Sequence, residues 1–340
     1  MLERLRISLW RGSLGLGLIA IALGGLSDFR LSSRSIAMIA ICAPVIWLFA
    51  SREIATFGRS SRLASLLECW LLFTLISGLG AVLSYFAMAF SSGYADNLLA
   101  QLDRAMGFNW PSTFAFVQSH PLLEWTLTKS YFACFSMPFL VLGILFHRGD
   151  HERMYRYLLA HGVGLLATVI VFFFFPARAA FDFYLAPGFA MPANVVHYST
   201  IIAGLRDGSL TTIPLENLGG IITFPSFHAT MAVLFAWAIW PCGMLRGPLA
   251  IVNGLMWIAA VPIGGHYAVD LFGGTLIAFG AIVLANRLFR PTPYHAGLWR
   301  IGKSCRCLSF QGGHFVYDQD AMHQVIRSPG DNSQAQQGRG

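Results

Sequence analysis

The sequence is short of charge. Lys, Arg, Asp and Glu make up 11% of its 340 residues, under half of the roughly 25% usual for a soluble domain. That scarcity excludes an ordinary water-soluble globule. The formal charge of +7 is too small to support nucleic-acid binding. A disulfide framework is missing too. Cys42, Cys69, Cys134 and Cys242 lie in apolar runs, where a thiol behaves as a small hydrophobe. Cys305 and Cys307 form a lone C-x-C, too little for a zinc site and a weak hint of palmitoylation. There is no internal repeat and no separate soluble domain. What fills the chain instead is apolar: 56% hydrophobic residues, 28 of them Phe, with a mean hydropathy of +0.60. Lipid is its solvent.

A bilayer core calls for about 20 mostly apolar helical residues. Runs of this kind fall at approximately 10–26, 35–51, 64–90, 122–146, 156–175, 225–243, 248–263 and 267–289. These predict an all-α integral membrane protein with about eight transmembrane helices. Arg4, Arg6 and Arg11 give the first run the flank of a signal peptide, but the run is long and Ala20-x-Ala22 lies inside it, so a retained helix is expected. Loop charges orient the chain. Arg52, Arg59, Arg62, Arg148, Arg153, Arg156, Arg246, Arg287, Arg290, Arg300, Lys303 and Arg306 gather on one side, which places both termini in the cytoplasm by the positive-inside rule.

Two outside segments are too long for simple turns. Residues 91–121 contain YADNLLAQLDRAMGFNW, in which Leu98, Leu99, Leu102 and Met106 share a helical face. That pattern suits a helix lying in the membrane interface, with Asp103 and Arg104 beside it as an ordinary solvated pair. Residues 176–224 are too polar to span. Beyond about 291 the chain turns polar and ends SPGDNSQAQQGRG, which reads as a disordered cytoplasmic tail. The expected organisation is two N-terminal helices over 1–62, a catalytic helical core over 63–290 and a tail over 291–340.

Chemistry concentrates in two motifs. In GGHYAVDLFGG, His266 and Asp270 are four residues apart, so they stack on one helical face and can hydrogen-bond. A carboxylate behind an imidazole fixes its tautomer and stabilises its cation, and an aspartate in a membrane helix is a functional-site hypothesis by default. Gly264 and Gly265 leave open backbone at a helix N-terminus, where N–H groups and the helix dipole suit an anion. In FPSFHAT, Ser226 reads as an N-cap and a contact to phosphate, with His228 in the first turn. Both helices, and Arg178 in FFFFPARAAFDFY, come to the same outer face under the assigned topology. This set suits phosphoryl transfer without a metal or cofactor: His266 attacks phosphorus, His228 protonates the leaving oxygen, and Arg178 with helix N-termini holds the non-bridging oxygens.

FPSFH followed by GGHYAVD resembles the second and third signature motifs of the type 2 phosphatidic acid phosphatase (PAP2) superfamily, over roughly residues 64–290. The resemblance implies a six-helix core, with His228 as the acid and His266 with Asp270 as the nucleophile pair. LDRAMGFNW and GLRDGSL look like stretches from a bacterial branch similar to the fungal inositol phosphorylceramide synthases, which transfer a phospho-headgroup to a lipid. Two departures stand out. The family's first motif has a Lys, six residues, then Arg-Pro, whereas here Arg178 stands alone inside Pro-Ala-Arg. The family's third motif has an arginine six residues before its histidine, where this chain has Ala260; the synthase-like branch lacks it as well.

The combined expectation is a membrane lipid phosphatase or phosphotransferase, acting on a lipid phosphate or phospholipid at the outer face of a plasma membrane, with ceramide among the candidate acceptors. Two other readings use the same residues: a zinc hydrolase with His228, His266 and Asp270 as ligands, and a proton-coupled transporter. The ionisable residues sit at helix ends, not at mid-membrane, which weighs against transport. Each motif residue also has an ordinary explanation. Arg178 serves equally well as a phosphate ligand or an interface anchor, Tyr267 reads as packing, and His197 and Arg206 are weaker candidates for a headgroup pocket.

Overall fold

The computed structural model describes residues 2–27, 30–31, 62–185, 193–213, 218–289, 308–311 and 314–317. The chain divides into two units, residues 1–289 and 290–340. The first is built of helices: α1 (Leu2–Gly25), α2 (Arg62–Phe90), α3 (Asp96–Ala105), α4 (Trp110–Gln118), α5 (Pro121–Phe132), α6 (Met137–His147), α7 (His151–Phe174), α8 (Ala180–Tyr184), α9 (Ala193–Asp207), α10 (Phe227–Ile239), α11 (Arg246–Ala259) and α12 (Ala268–Leu288). Two-residue strands β1 (Arg30–Leu31) and β2 (Thr212–Ile213) pair in parallel. In the second unit, β3 (Leu308–Gln311) and β4 (His314–Tyr317) form an antiparallel pair.

Four described helices, α1, α2, α7 and α12, are long and apolar enough to cross a membrane, and α5 with α6 makes a fifth if the bent pair is one span. The expected run at 35–51 lies outside the described residues. The runs expected at 225–243 and 248–263 form α10 and α11, of 13 and 14 residues. At 1.5 Å per residue each is about 20 Å long, short of a hydrocarbon core of about 30 Å. The 61° bend between α5 and α6 has a local cause. Pro138 is the second residue of α6, so it has no N–H to continue the helix from Cys134, and a 3₁₀ turn over Ala133–Phe135 bridges the gap.

Helices in lipid gain little from hydrophobicity when they associate; close packing through small residues and interhelical hydrogen bonds does the work. On α12 the buried positions Asp270, Gly274, Ala278, Ala281 and Ala285 recur every three or four residues and so form one stripe. A Cβ at Gly274 would lie 2.1 Å from the carbonyl oxygen of Ser226, so only glycine permits this approach of α10 and α12. Thr230 ties the same crossing, its hydroxyl within 3.1 Å of Ser226 O and 2.9 Å of Gly274 O. Gly80 lies under the Leu165 side chain, where a Cβ would meet Cδ2 at 2.2 Å, and this seats α2 on α7. These contacts draw the beginnings of α10 and α12 together.

Candidate active site

His266 precedes α12 and is 4% exposed, while Asp270, one turn in, is fully buried. Asp270 Oδ2 accepts from the Tyr267 N–H at 2.9 Å and from His266 Nδ1 at 3.1 Å. A carboxylate only accepts, so the geometry assigns the proton to Nδ1 and leaves the lone pair on Nε2. Among the described residues Asp270 Oδ1 has no hydrogen-bond partner. The two were expected to stack on one helical face; His266 instead lies just outside the helix, and Asp270, three residues past the Tyr267 cap, reaches back to it.

Ser226 caps α10, its Oγ accepting from Ala229 N at 3.2 Å. The Ser226 N–H donates to Asp270 O at 3.0 Å, which fastens the start of α10 to the start of α12. His228 therefore faces His266, with ring centroids 6.0 Å apart at 64°. The Tyr131 ring of α5 stacks on His228 at 4.2 Å and 18°. Nothing in the sequence marked Tyr131 as a neighbour of this histidine.

Helix α3, expected to lie in the membrane interface, divides the apolar face read from the sequence, with Leu99 turned inward. Leu98, Leu102 and Met106 are exposed, whereas Asp96 and Asp103 are buried at 2% and 0%. Asp103 is therefore not one of a solvated pair. Its oxygens accept from the N–H groups of Ala268 and Val269, both at 2.9 Å. Burial pushes the Asp103 carboxyl up from its ordinary range, and these two donors pull it partly back. Asp96, two turns earlier on the same face, accepts from the N–H of Arg178 at 3.1 Å, from that of Ala179 at 3.4 Å and from the Tyr267 hydroxyl at 2.9 Å. The physical reason is that Asp96 and Asp103, with Leu99, face the protein, and the buried carboxylates turn to backbone N–H groups that lack partners of their own. One short helix thereby braces both the Arg178 loop and the His266 helix. Trp110, at the start of α4, donates from Nε1 to His266 O at 3.1 Å and packs in an aromatic cluster with Phe114, Phe181 and Tyr184. Asp96 and Trp110 escaped the sequence reading, although the seven-residue spacing of Asp96 and Asp103 was a usable signal. Tyr267 packs as expected, and its hydroxyl also carries a bond.

The groups available to an anion also differ from expectation. The Gly265 N–H is taken by Val261 O at 3.1 Å, so it is not a free donor. What Gly265 provides is conformation, with φ at +70° and a Phe181 ring carbon 2.1 Å from where a Cβ would stand. The first N–H groups of α12 are occupied as well, by Asp270 and Asp103. At α10, by contrast, no hydrogen bond is present at the N–H of Phe227 or His228 among the described residues. Arg178 is exposed, with its guanidinium 5.1 Å above the Tyr94 ring. Arg206 instead donates to the carbonyls of Ser91 at 2.5 Å and Gly93 at 2.7 Å, which is structural bracing. The side chain of His197 lies outside the described residues.

His228, His266 and Arg178 share one cavity of about 460 Å³. Its remaining wall is mostly apolar, running past Phe227 and Met231 to Phe73, Phe135 and Phe139. Phe132, Phe135 and Phe139 are themselves exposed on the surface. Among the described residues no three His, Cys, Asp or Glu side chains gather as a metal ligand set.

The cavity thus brings together a carboxylate-backed histidine, a second histidine and an arginine within a largely apolar wall. The chain belongs to the PAP2 superfamily, whose family model matches residues 97–284, over half its length. It is thus an enzyme of a phosphatase family acting on phosphate esters. No curated protein and no solved structure matches the chain.

Proposed function

We propose that the protein is a lipid phosphatase or phosphotransferase that works through a phosphohistidine. The observation that carries this reading is the cavity, which joins the two histidines and Arg178 to an apolar wall reaching surface phenylalanines of α5 and α6. A water-soluble ester has no use for such a wall; a lipid tail does. His266 Nε2 attacks phosphorus while the ester P–O bond breaks and the leaving oxygen takes a proton from His228. Water or a second alcohol then gives its proton to His228 and attacks phosphorus, and the His266–P bond breaks. The Asp270 carboxylate balances the imidazolium charge throughout. Arg178 and the first N–H groups of α10 hold the non-bridging oxygens.

In this reading the chain crosses the membrane about eight times, with α10 and α11 as short spans, both termini in the cytoplasm and the site on the outer side of a plasma membrane. The absence of an arginine at Ala260 fits the branch that resembles inositol phosphorylceramide synthase, and a lipid alcohol such as ceramide is then an acceptor beside water. The test is thin-layer separation of products from radiolabelled phospholipids and lipid phosphates, with and without ceramide or diacylglycerol. Wild type should give released phosphate or a new phospholipid, and His266→Ala neither. Turnover undiminished in His266→Ala would defeat the proposal.

A further inference from the structure

One polar pair, a serine in the cavity wall and a buried histidine behind it, has no part in this chemistry. Ser77 of α2 lines the cavity, and its Oγ is 3.0 Å from Nε2 of His161 on α7. His161 is fully buried, and its Nδ1 has no hydrogen-bond partner among the described residues. It is packed among Phe73, Tyr157 and Phe227. The pair bridges α2 and α7 as an interhelical hydrogen bond does, but its serine also faces the cavity. Thr74, one turn away, shows the ordinary alternative, with its hydroxyl returned to the Trp70 carbonyl at 2.9 Å. Ser77 is not spent in that way. If Nε2–H donates to Oγ, the serine hydroxyl is left as a donor toward the cavity; if the hydroxyl donates to Nε2, its lone pairs are left as acceptors.

The depth of the pair is informative. A Cβ at Gly164 of α7 would lie 3.2 Å from Thr230 Cγ2 and 3.8 Å from Leu234 Cδ1 of α10. His228 is two residues from Thr230 toward the site. His161 is three residues from Gly164 in the other direction, because α7 ends where α10 begins. At 1.5 Å per residue the pair lies roughly 8 Å further into the helices than His228. A phosphorus atom at His266 would place the first few atoms of the ester chain at this level.

We propose that Ser77, backed by His161, is a subsite for a hydrogen-bonding group in the substrate's backbone, the ester, amide or hydroxyl that a glycerol- or sphingoid-based lipid phosphate carries a few bonds beyond phosphorus. The subsite rests on the phosphotransfer reading above and narrows it. Lipid phosphates that are hydrocarbon throughout, such as alkyl or polyprenyl phosphates, leave Ser77 unmatched and are the poorer substrates.

The test compares full-length wild type, Ser77→Ala and Ser77→Thr on three labelled probes: a diacylglycerol phosphate, a ceramide phosphate and hexadecyl phosphate, scoring substrate consumed. Ser77→Ala should lower kcat/KM about fivefold on the backbone-bearing probes, the scale of one neutral hydrogen bond, and leave hexadecyl phosphate unchanged. Ser77→Thr should retain most of the activity. Whichever of the diacyl and ceramide probes falls further identifies the backbone recognised. An equal loss on all three probes, or no loss on any, overturns the subsite. Hexadecyl phosphate also separates the two readings. Its consumption by wild type upholds the phosphotransfer proposal whatever Ser77 does, whereas failure of wild type to consume any probe overturns both.

Discussion

Glu68 and Asp270, two carboxylates in helices long and apolar enough to cross a membrane, are treated in opposite ways. Glu68, on α2, is saturated. Its Oε1 accepts from Arg6 Nε and Trp10 Nε1, both at 2.6 Å, and its Oε2 accepts from the Tyr155 hydroxyl at 2.8 Å. Those donors come from α1 and α7, so one side chain staples three helices. Asp270, on α12, has both its bonds on one oxygen and none on the other, and its side-chain partner is a histidine that opens onto a cavity. The arginines repeat the contrast. Arg153 donates to the carbonyls of Trp237 and Ala238 at the end of α10, whereas the guanidinium of Arg178, among the described residues, has the Tyr94 ring against it. A charge in lipid surrounded by partners is architecture. On the proposed function, a charge left partly unmatched beside the cavity is held for a ligand.

Substitutions can break that contrast. Asp270→Asn removes the charge behind His266 and permits the wrong tautomer, so kcat should fall by about a thousandfold or more with the protein still folded. Activity within tenfold of wild type would mean that Asp270 is architecture like Glu68. Asp103→Asn comes next. It weakens the two backbone bonds that hold the start of α12, and turnover should fall about tenfold, since a displaced nucleophile costs alignment. The loss should appear in kcat more than in KM; a pure KM effect would contradict a positioning role. The smallest effect on chemistry belongs to Glu68→Gln. It should leave kcat per folded molecule unchanged and cost about 1–3 kcal/mol of stability, read as a lower thermal midpoint in detergent. A large loss of kcat without a loss of stability would erase the distinction.

The pairing of His266 with Asp270 was legible because it is local, although His266 precedes the helix and Asp270 reaches back to it from the first turn. Ser226 was legible as a cap for the same reason. The supporting frame was not, since Trp110 reaches His266 across 156 positions and Asp96 reaches Tyr267 across 171. No pattern within a single helix encodes such pairings. The pattern of α3 correctly indicated a helix, but it put Asp103 in a solvated pair, because a sequence does not show that the N–H groups of Ala268 and Val269 lie against it. Helix counting met a similar limit at α10 and α11. Hydropathy marks where apolar residues run, but α10 begins only at the Ser226 cap, and α11 stops at Ala259, before the turn that carries Gly264 and Gly265. The Gly265 N–H was misjudged because a sequence does not reveal that Val261 O folds back onto it.

The central claim is that His266 carries the phosphoryl group. Incubation with a substrate labelled at phosphorus, followed by rapid denaturation, should leave label on the protein that survives base and is lost in acid, as a phosphoramidate bond requires. It should map to the peptide containing His266, accumulate when His228 is replaced by Ala under conditions that still allow attack, and vanish in His266→Ala. Label that persists in His266→Ala, or turnover by wild type with no base-stable label at any time point, would contradict the account.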